Sequence, residues 1–251
     1  MTEPLASRAR RGRPPLLGAG PRDRSRGARA PCAAHVVTGR SRPSLAPGAD
    51  TIITASEGGA IKQRQPIQIA DPDPRWVGQF RELAVSLRLA LGDRALRIDH
   101  IGSTSVPGLP AKPIIDVQVT VDVFDRLREQ PVPAGFQWSR FAEDHAPAGT
   151  DLAAAQWEKR FMWRSDPPPA NVHFRIDGRA NQRYALLFRD YLRTHPAAAS
   201  AYAMLKQALA RIVCDDIDAY LDVKDPACDL IMVGAEDWAR ATSWQPAPSD
   251  G

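Results

Sequence analysis

Two strands and the turn between them are written in 100-HIGSTSVPGLPAKPIIDVQVTV-121. One apolar run closes on Gly102-Ser103, a Gly- and Pro-punctuated segment turns the chain, and a second run carries a lone Asp116. By the strand period of two, Ile115, Val117, Val119 and Val121 fall on one face, and Asp116, Gln118 and Thr120 on the other. A carboxylate flanked by Ile114, Ile115 and Val117 costs free energy unless something partners it. Glycine lets backbone N–H groups approach a phosphate without a Cβ, and a hydroxyl adds a donor. A strand carboxylate can hold a divalent ion that bridges phosphate oxygens. Gly102 and Ser103, followed by Thr104 and Ser105, are therefore candidate phosphate contacts, and Asp116 a candidate metal ligand. The plainer alternative is a tight turn, with Asp116 in a salt bridge to Arg175 or Lys112.

Outward from this stretch the pattern is mixed. Asp73-Pro74 opens a helix whose apolar stripe is Val77, Phe80, Leu83, Leu87 and Leu91, with Gly92 at its end. A short strand, 95-ALRIDHIG-102, precedes the turn, and the next strand is 113-PIIDVQVTV-121. A third strand, 171-NVHFRID-177, puts Val172, Phe174 and Ile176 on one face and His173, Arg175 and Asp177 on the other. Helical stripes follow: Tyr184, Leu187, Phe188, Tyr191 and Leu192, then Tyr202, Leu205, Leu209 and Ile212. A last helix is expected to open at Asp225-Pro226 and to carry Leu230, Val233 and Trp238. The order is that of an α+β domain with few strands and flanking helices.

Of the 251 residues 43% are hydrophobic and 25% charged, which is the profile of a soluble globular chain. No apolar run approaches the roughly 18 residues of a membrane span, so no membrane partner is expected. The net charge of +4 is uneven. Residues 1–65 hold twelve Lys/Arg against four Asp/Glu, or +8, and residues 66–251 hold twenty-one against twenty-five, or −4. A globally basic nucleic-acid-binding domain is therefore not what the composition indicates. Residues 1–65 have the composition of a disordered tail; an electrostatic arm with weak nucleic-acid contacts or an organelle-targeting segment are the other readings. The domain is expected over 66–244, with a disordered C-terminus over 245–251. Cys32, Cys214 and Cys228 have no zinc spacing and read as free thiols of a cytoplasmic protein.

The Gly-Ser and strand-carboxylate order is similar to the hG[GS]…[DE]h[DE] signature of the nucleotidyltransferase superfamily. More specifically, IDHIGSTSVPGLPAKPIIDVQV resembles the GrpB family form (E/D)HIGSTSVPGLxAKPIIDI. Further blocks that resemble the family are 157-WEKRFMW-163, 171-NVHFRIDG-178, 186-LLFRDYLRTHPAAASAYAMLK-206 and Tyr220…Lys224…Trp238. The resemblance covers roughly residues 68–240. It implies a nucleotidyltransferase-like (polymerase β-like) fold, sometimes fused to dephospho-coenzyme A kinase, and hence a link to coenzyme A biosynthesis. The activity it implies moves a nucleotidyl group from a nucleoside triphosphate to a small acceptor, with Mg²⁺ or Mn²⁺. The alternative is a non-catalytic nucleotide or phosphometabolite-binding module. Active members of the superfamily carry two carboxylates on one strand face, whereas this chain has Gln118 in the second place. The neighbouring strand offers His173 and Asp177, so the expected metal ligands are Asp116, His173 and Asp177, for one ion or none. Asp116 and His173 are the candidate catalytic residues. Lys112, Arg160 and Arg175 join Gly102, Ser103, Thr104 and Ser105 as candidate phosphate contacts, although charges such as Lys159-Arg160 are commonly solvated.

Overall fold

A computed structural model describes residues 66–251; the expectations for residues 1–65 lie outside them. The elements are α1 (Arg75–Leu91), β1 (Arg97–Ile101), β2 (Ile115–Val121), β3 (Gln137–Trp138), β4 (Arg160–Arg164), β5 (Ala170–Ile176), α2 (Ala180–Thr194), α3 (Pro196–Val213) and α4 (Ile217–Thr242). The five strands form one mixed sheet in the order β1-β2-β5-β4-β3, so the domain is α+β. β2 pairs antiparallel with β1 and parallel with β5, in a register that sets Asp116 opposite Asn171 and Gln118 opposite His173.

The alternation seen in the sequence sorts the two faces. Ile115, Val117, Val119 and Val121 are buried with Val172, Phe174 and Met162 against Phe80, Leu83 and Leu87 of α1. The other face carries Asp116, His173 and Arg175 and looks toward the helices. Gln118 and Thr120 on that face are also fully buried. They lie in the middle of the sheet, where most buried polar groups are hydrogen-bonded, although Thr120 Oγ1 has no hydrogen-bond partner among the described residues. Gln118 is satisfied by donating to the Gln182 carbonyl of α2 and accepting from Arg175. Among the described residues no helix is long and apolar enough to cross a membrane.

Several helix phases and ends differ from expectation. In α1 the buried stripe starts at Trp76, and Val77 is exposed. Trp76, with its larger apolar area, takes the place four residues before Phe80. Ile212 of α3 is exposed as well. α4 opens at Ile217 rather than at Pro226, because the Asp216 side chain accepts from the Ala219 N–H and caps it earlier. The buried face of α4 is Tyr220, Cys228, Met232, Ala235 and Ala239, while Leu230 and Val233 face outward. Cys228 is a buried free thiol, but Cys214 is disulfide-bonded rather than free.

The C-terminal residues run alongside β1. β1 is a sheet edge whose outer N–H and C=O groups need partners. Ser249 Oγ accepts from the Ile98 N–H and donates to the Ile98 carbonyl, each at 2.9 Å. Asp250 accepts from the His100 N–H and from Arg189. Arg189 of α2 is 1% exposed and also donates to the His100 carbonyl.

Candidate functional site

A cavity of about 650 Å³ opens between the polar face of the sheet and α2–α4. Gly102, Ser103 and Thr104 of the turn, the 141–145 segment, β5 and residues of all three helices line it. Its geometry answers why Gly precedes Ser103. Gly102 has φ 68° and ψ −173°, a conformation that only glycine adopts readily. A Cβ there would lie 2.4 Å from Asp116 Oδ2. The missing side chain thus makes room for the carboxylate, which packs directly on the turn backbone.

Asp116 Oδ1 accepts from Asn171 Nδ2 at 2.9 Å, and His173 Nε2 stands 3.8 Å from the same oxygen. Neither Arg175 nor Lys112 pairs with it. Burial pushes the Asp116 carboxyl up, but His173 and Asn171 outweigh it and keep the group ionised at neutral pH. Burial pushes His173 down, so its imidazole is neutral there. The His173 ring leans on Phe161, and its Nδ1 is buried with no hydrogen-bond partner among the described residues.

On the other side of the turn, Lys206 of α3 donates to Ser103 Oγ at 2.8 Å and to the Pro110 carbonyl at 2.6 Å. Lys112 reaches the same wall with its ammonium over the Tyr220 ring, and Lys224 sits there paired with Asp225. Burial lowers the Lys112 amine. Thr104 lines the cavity too, though its hydroxyl is bound to His100 Nε2 and the Ile114 carbonyl. Ser105 turns inward and donates to the Gly102 carbonyl at 2.6 Å. Ser103 is therefore the hydroxyl of this turn that meets a lysine at the cavity wall.

Asp116, His173, Gly102, Ser103, Thr104, Lys112 and Arg175 are thus brought around one cavity. Arg175, however, is committed. It holds Asp144 through two bonds of 2.8 and 3.0 Å and Gln118 through one of 2.6 Å. Arg160 lies on the opposite face of the sheet, stacked over Phe124, because it alternates with Lys159 and Phe161 along the chain. Asp177 is exposed beyond the end of β5, four residues and about 13 Å of strand from His173. Asp144 and Lys206 were not legible as site residues. Asp144 is in a loop without periodicity, where it also accepts from Lys159 and Asn181. Lys206 did leave a trace, as a charge within the apolar stripe of α3 between Tyr202 and Leu209.

The donor set limits a metal. Among the described residues no three His, Cys, Asp or Glu side chains converge to hold one. Gln118 is spent on Arg175 and Gln182, and Asp144 on two cations. A pair of resident ions does not fit. Asp116 remains as a cavity carboxylate that a single ion could meet.

Comparison with known proteins agrees with this architecture. The chain is 31% identical to a protein in a solved structure, described as the conserved protein GrpB from Enterococcus faecalis. That likeness covers 68% of this chain and 99% of the other, with a TM-score of 0.55. It is 38% identical over 200 residues to a dephospho-CoA kinase of Mycolicibacterium paratuberculosis, covering 73% of this chain and 49% of that protein. It is 31% identical to the UPF0157 protein YqkA of Bacillus subtilis, covering 70% and 49%. The chain thus spans about half the length of these curated relatives. The GrpB protein family matches over residues 66–233, which takes in every strand and the cavity wall, and the chain belongs to the GrpB family.

Proposed function

We propose that the cavity binds a nucleoside triphosphate and passes its nucleotidyl group to a small acceptor. The observation that carries this reading is the single cavity in which the Ser103–Lys206 corner faces the Asp116–His173 pair. The lysine wall neutralises the phosphates, and Ser103 adds a donor. The acceptor hydroxyl attacks the α-phosphorus, the bond to the bridging oxygen breaks, and pyrophosphate leaves. The acceptor proton passes to His173, which burial keeps neutral and able to receive it. Asp116 meets the Mg²⁺ or Mn²⁺ that accompanies the triphosphate, and the protein contributes positioning and charge stabilisation. Aromatic side chains at Trp157, Phe161 and Tyr184 offer the base a stacking wall. Because relatives of about twice the matched length are named dephospho-CoA kinase, dephospho-coenzyme A is the first acceptor to try.

Calorimetric titration with ATP and the other triphosphates, with and without Mg²⁺, tests binding. Transfer of label from an α-³²P-labelled triphosphate to the acceptor tests the reaction. Asp116→Asn should abolish the metal-dependent part of both. Binding that ignores Mg²⁺ and Asp116→Asn alike would refute the reading. A second reading, binding without transfer, is favoured by the engagement of Gln118 where a second carboxylate would stand. Tight, metal-responsive binding with no label transferred would select it.

A further inference from the structure

Lys206 is 3% exposed, and a charged side chain is rarely buried so fully without an ionic partner. Its two hydrogen-bond partners, Ser103 Oγ and the Pro110 carbonyl, are both neutral. Among the described residues no carboxylate lies within ion-pair distance of its ammonium. The groups that face it do not fill this role. Tyr202 on its own helix offers a ring face at 4.7 Å and a phenol that burial keeps protonated. From α4, Lys224 repels it, and burial pushes the Cys228 thiol up, so that sulfur stays neutral. Asp116 from β2 acts only at longer range and is already bonded to Asn171. Lys112, which shares the wall, has no carboxylate within ion-pair distance among the described residues either.

We propose that the missing counter-anion of Lys206 is a phosphate of the ligand, and that this phosphate and a proton on Lys206 bind together. The inference rests on the phosphate-ligand reading above and adds to it which corner holds the anion and how binding responds to pH. Burial pulls the free amine down to about 7, so at pH 8 most of the empty protein carries it neutral. An arriving phosphate supplies the charge that favours the ammonium, and Ser103 Oγ stays in place as a second donor. Affinity for the anion should therefore fall as pH rises above about 7, by up to tenfold per unit. Below that pH Lys206 adds no further dependence, and what remains comes from the ligand's own terminal phosphate, whose second pKa is about 6.

The test is calorimetry on the full chain at several pH values, in two buffers of different ionisation heat, with ATP and with inorganic tripolyphosphate. The wild type should take up close to one proton per ligand near pH 8. Lys206→Arg keeps a permanent charge and should bind with no extra uptake and a flat profile above that pH. Lys206→Met should weaken both ligands at least tenfold at pH 7. Equal proton uptake by the wild type and Lys206→Arg, or Lys206→Met binding within twofold of wild type, overturns the inference. The wild-type uptake alone decides it should a variant fail to fold. Tripolyphosphate bound with uptake while ATP is refused would keep this inference and remove the nucleotide reading. ATP bound without uptake would do the reverse, and refusal of both ligands would remove both.

Discussion

Replacing Gly102 by alanine tests the contact on which the site is built. Two costs are separable. The backbone at φ 68° and ψ −173° is strained for any residue with a Cβ, by about 1–3 kcal/mol. The new methyl would also meet Asp116 Oδ2 at 2.4 Å and Asp116 Cβ at 2.9 Å. Asp116 cannot swing away without giving up its bond to Asn171, and a hydrogen bond to a charged group is worth about 1.5–3 kcal/mol. Gly102→Ala should therefore destabilise the fold by about 3–5 kcal/mol. In an Asp116→Gly background the obstruction is gone and only the backbone cost, about 1–3 kcal/mol, remains. A double-mutant cycle from urea unfolding at pH 7 should thus give a coupling of at least about 1.5 kcal/mol. A Gly102→Ala cost below about 1 kcal/mol, or the same cost in both backgrounds, would refute the contact.

Other outcomes follow from the buried charges. Asp144→Asn strands Arg175 and Lys159 and should cost about 3–5 kcal/mol in denaturant unfolding; a loss under 1 kcal/mol would mean that the loop is not anchored there. Burial pushes the Asp144 carboxyl up, but Arg175 and Lys159 hold it well below its ordinary value of 3.8, so its contribution is present above that pH and lost as acid takes the pH below it. His100, stacked on Phe80 and bonded to Thr104, is lowered by burial from 6.5 to about 4. Since the unfolded chain takes up that proton first, stability should fall between pH 6.5 and 4; an NMR titration of the His100 ring with a midpoint above 6 would contradict this. Holding the Lys206 amine near 7 instead of 10.5 costs the fold on the order of 4 kcal/mol at pH 7, a penalty that fades as pH rises toward 10.5. With two hydrogen bonds lost at about 1 kcal/mol each, Lys206→Met should raise stability at pH 7 by about 1–3 kcal/mol. A thermal midpoint unchanged or lower than wild type would count against a strained, unpaired amine.

Much of the architecture was legible because it is local. Alternation in 113–121 and 171–177 sorts core from cavity, since adjacent side chains on a strand must point to opposite faces. The Gly102-Ser103 and Asp116 spacing identified the family and the turn from one continuous stretch. Helix phase was less secure where apolar residues outnumbered the buried places. Leu230 and Val233 made as good a stripe as Cys228, Met232 and Ala235, and only packing against α2 chose between them.

The chemistry of the cavity was decided at longer range. Lys206 lies 103 residues from Ser103, Asp144 lies 31 from Arg175, and Asp250 lies 61 from Arg189. No periodicity connects such pairs; they meet because the sheet order sets β5 beside β2 and the helices close over its polar face. Gln118 shows the same division. Its place on the strand was readable from the alternation, but its engagement with Arg175 and Gln182 depends on neighbours 57 and 64 residues away. From the sequence alone came the faces, the turn and the family, because each depends on residues adjacent in the chain. The tertiary structure alone decided which charges are paired and which, like Lys206, are left facing the cavity, because burial and pairing are properties of what folds against a residue.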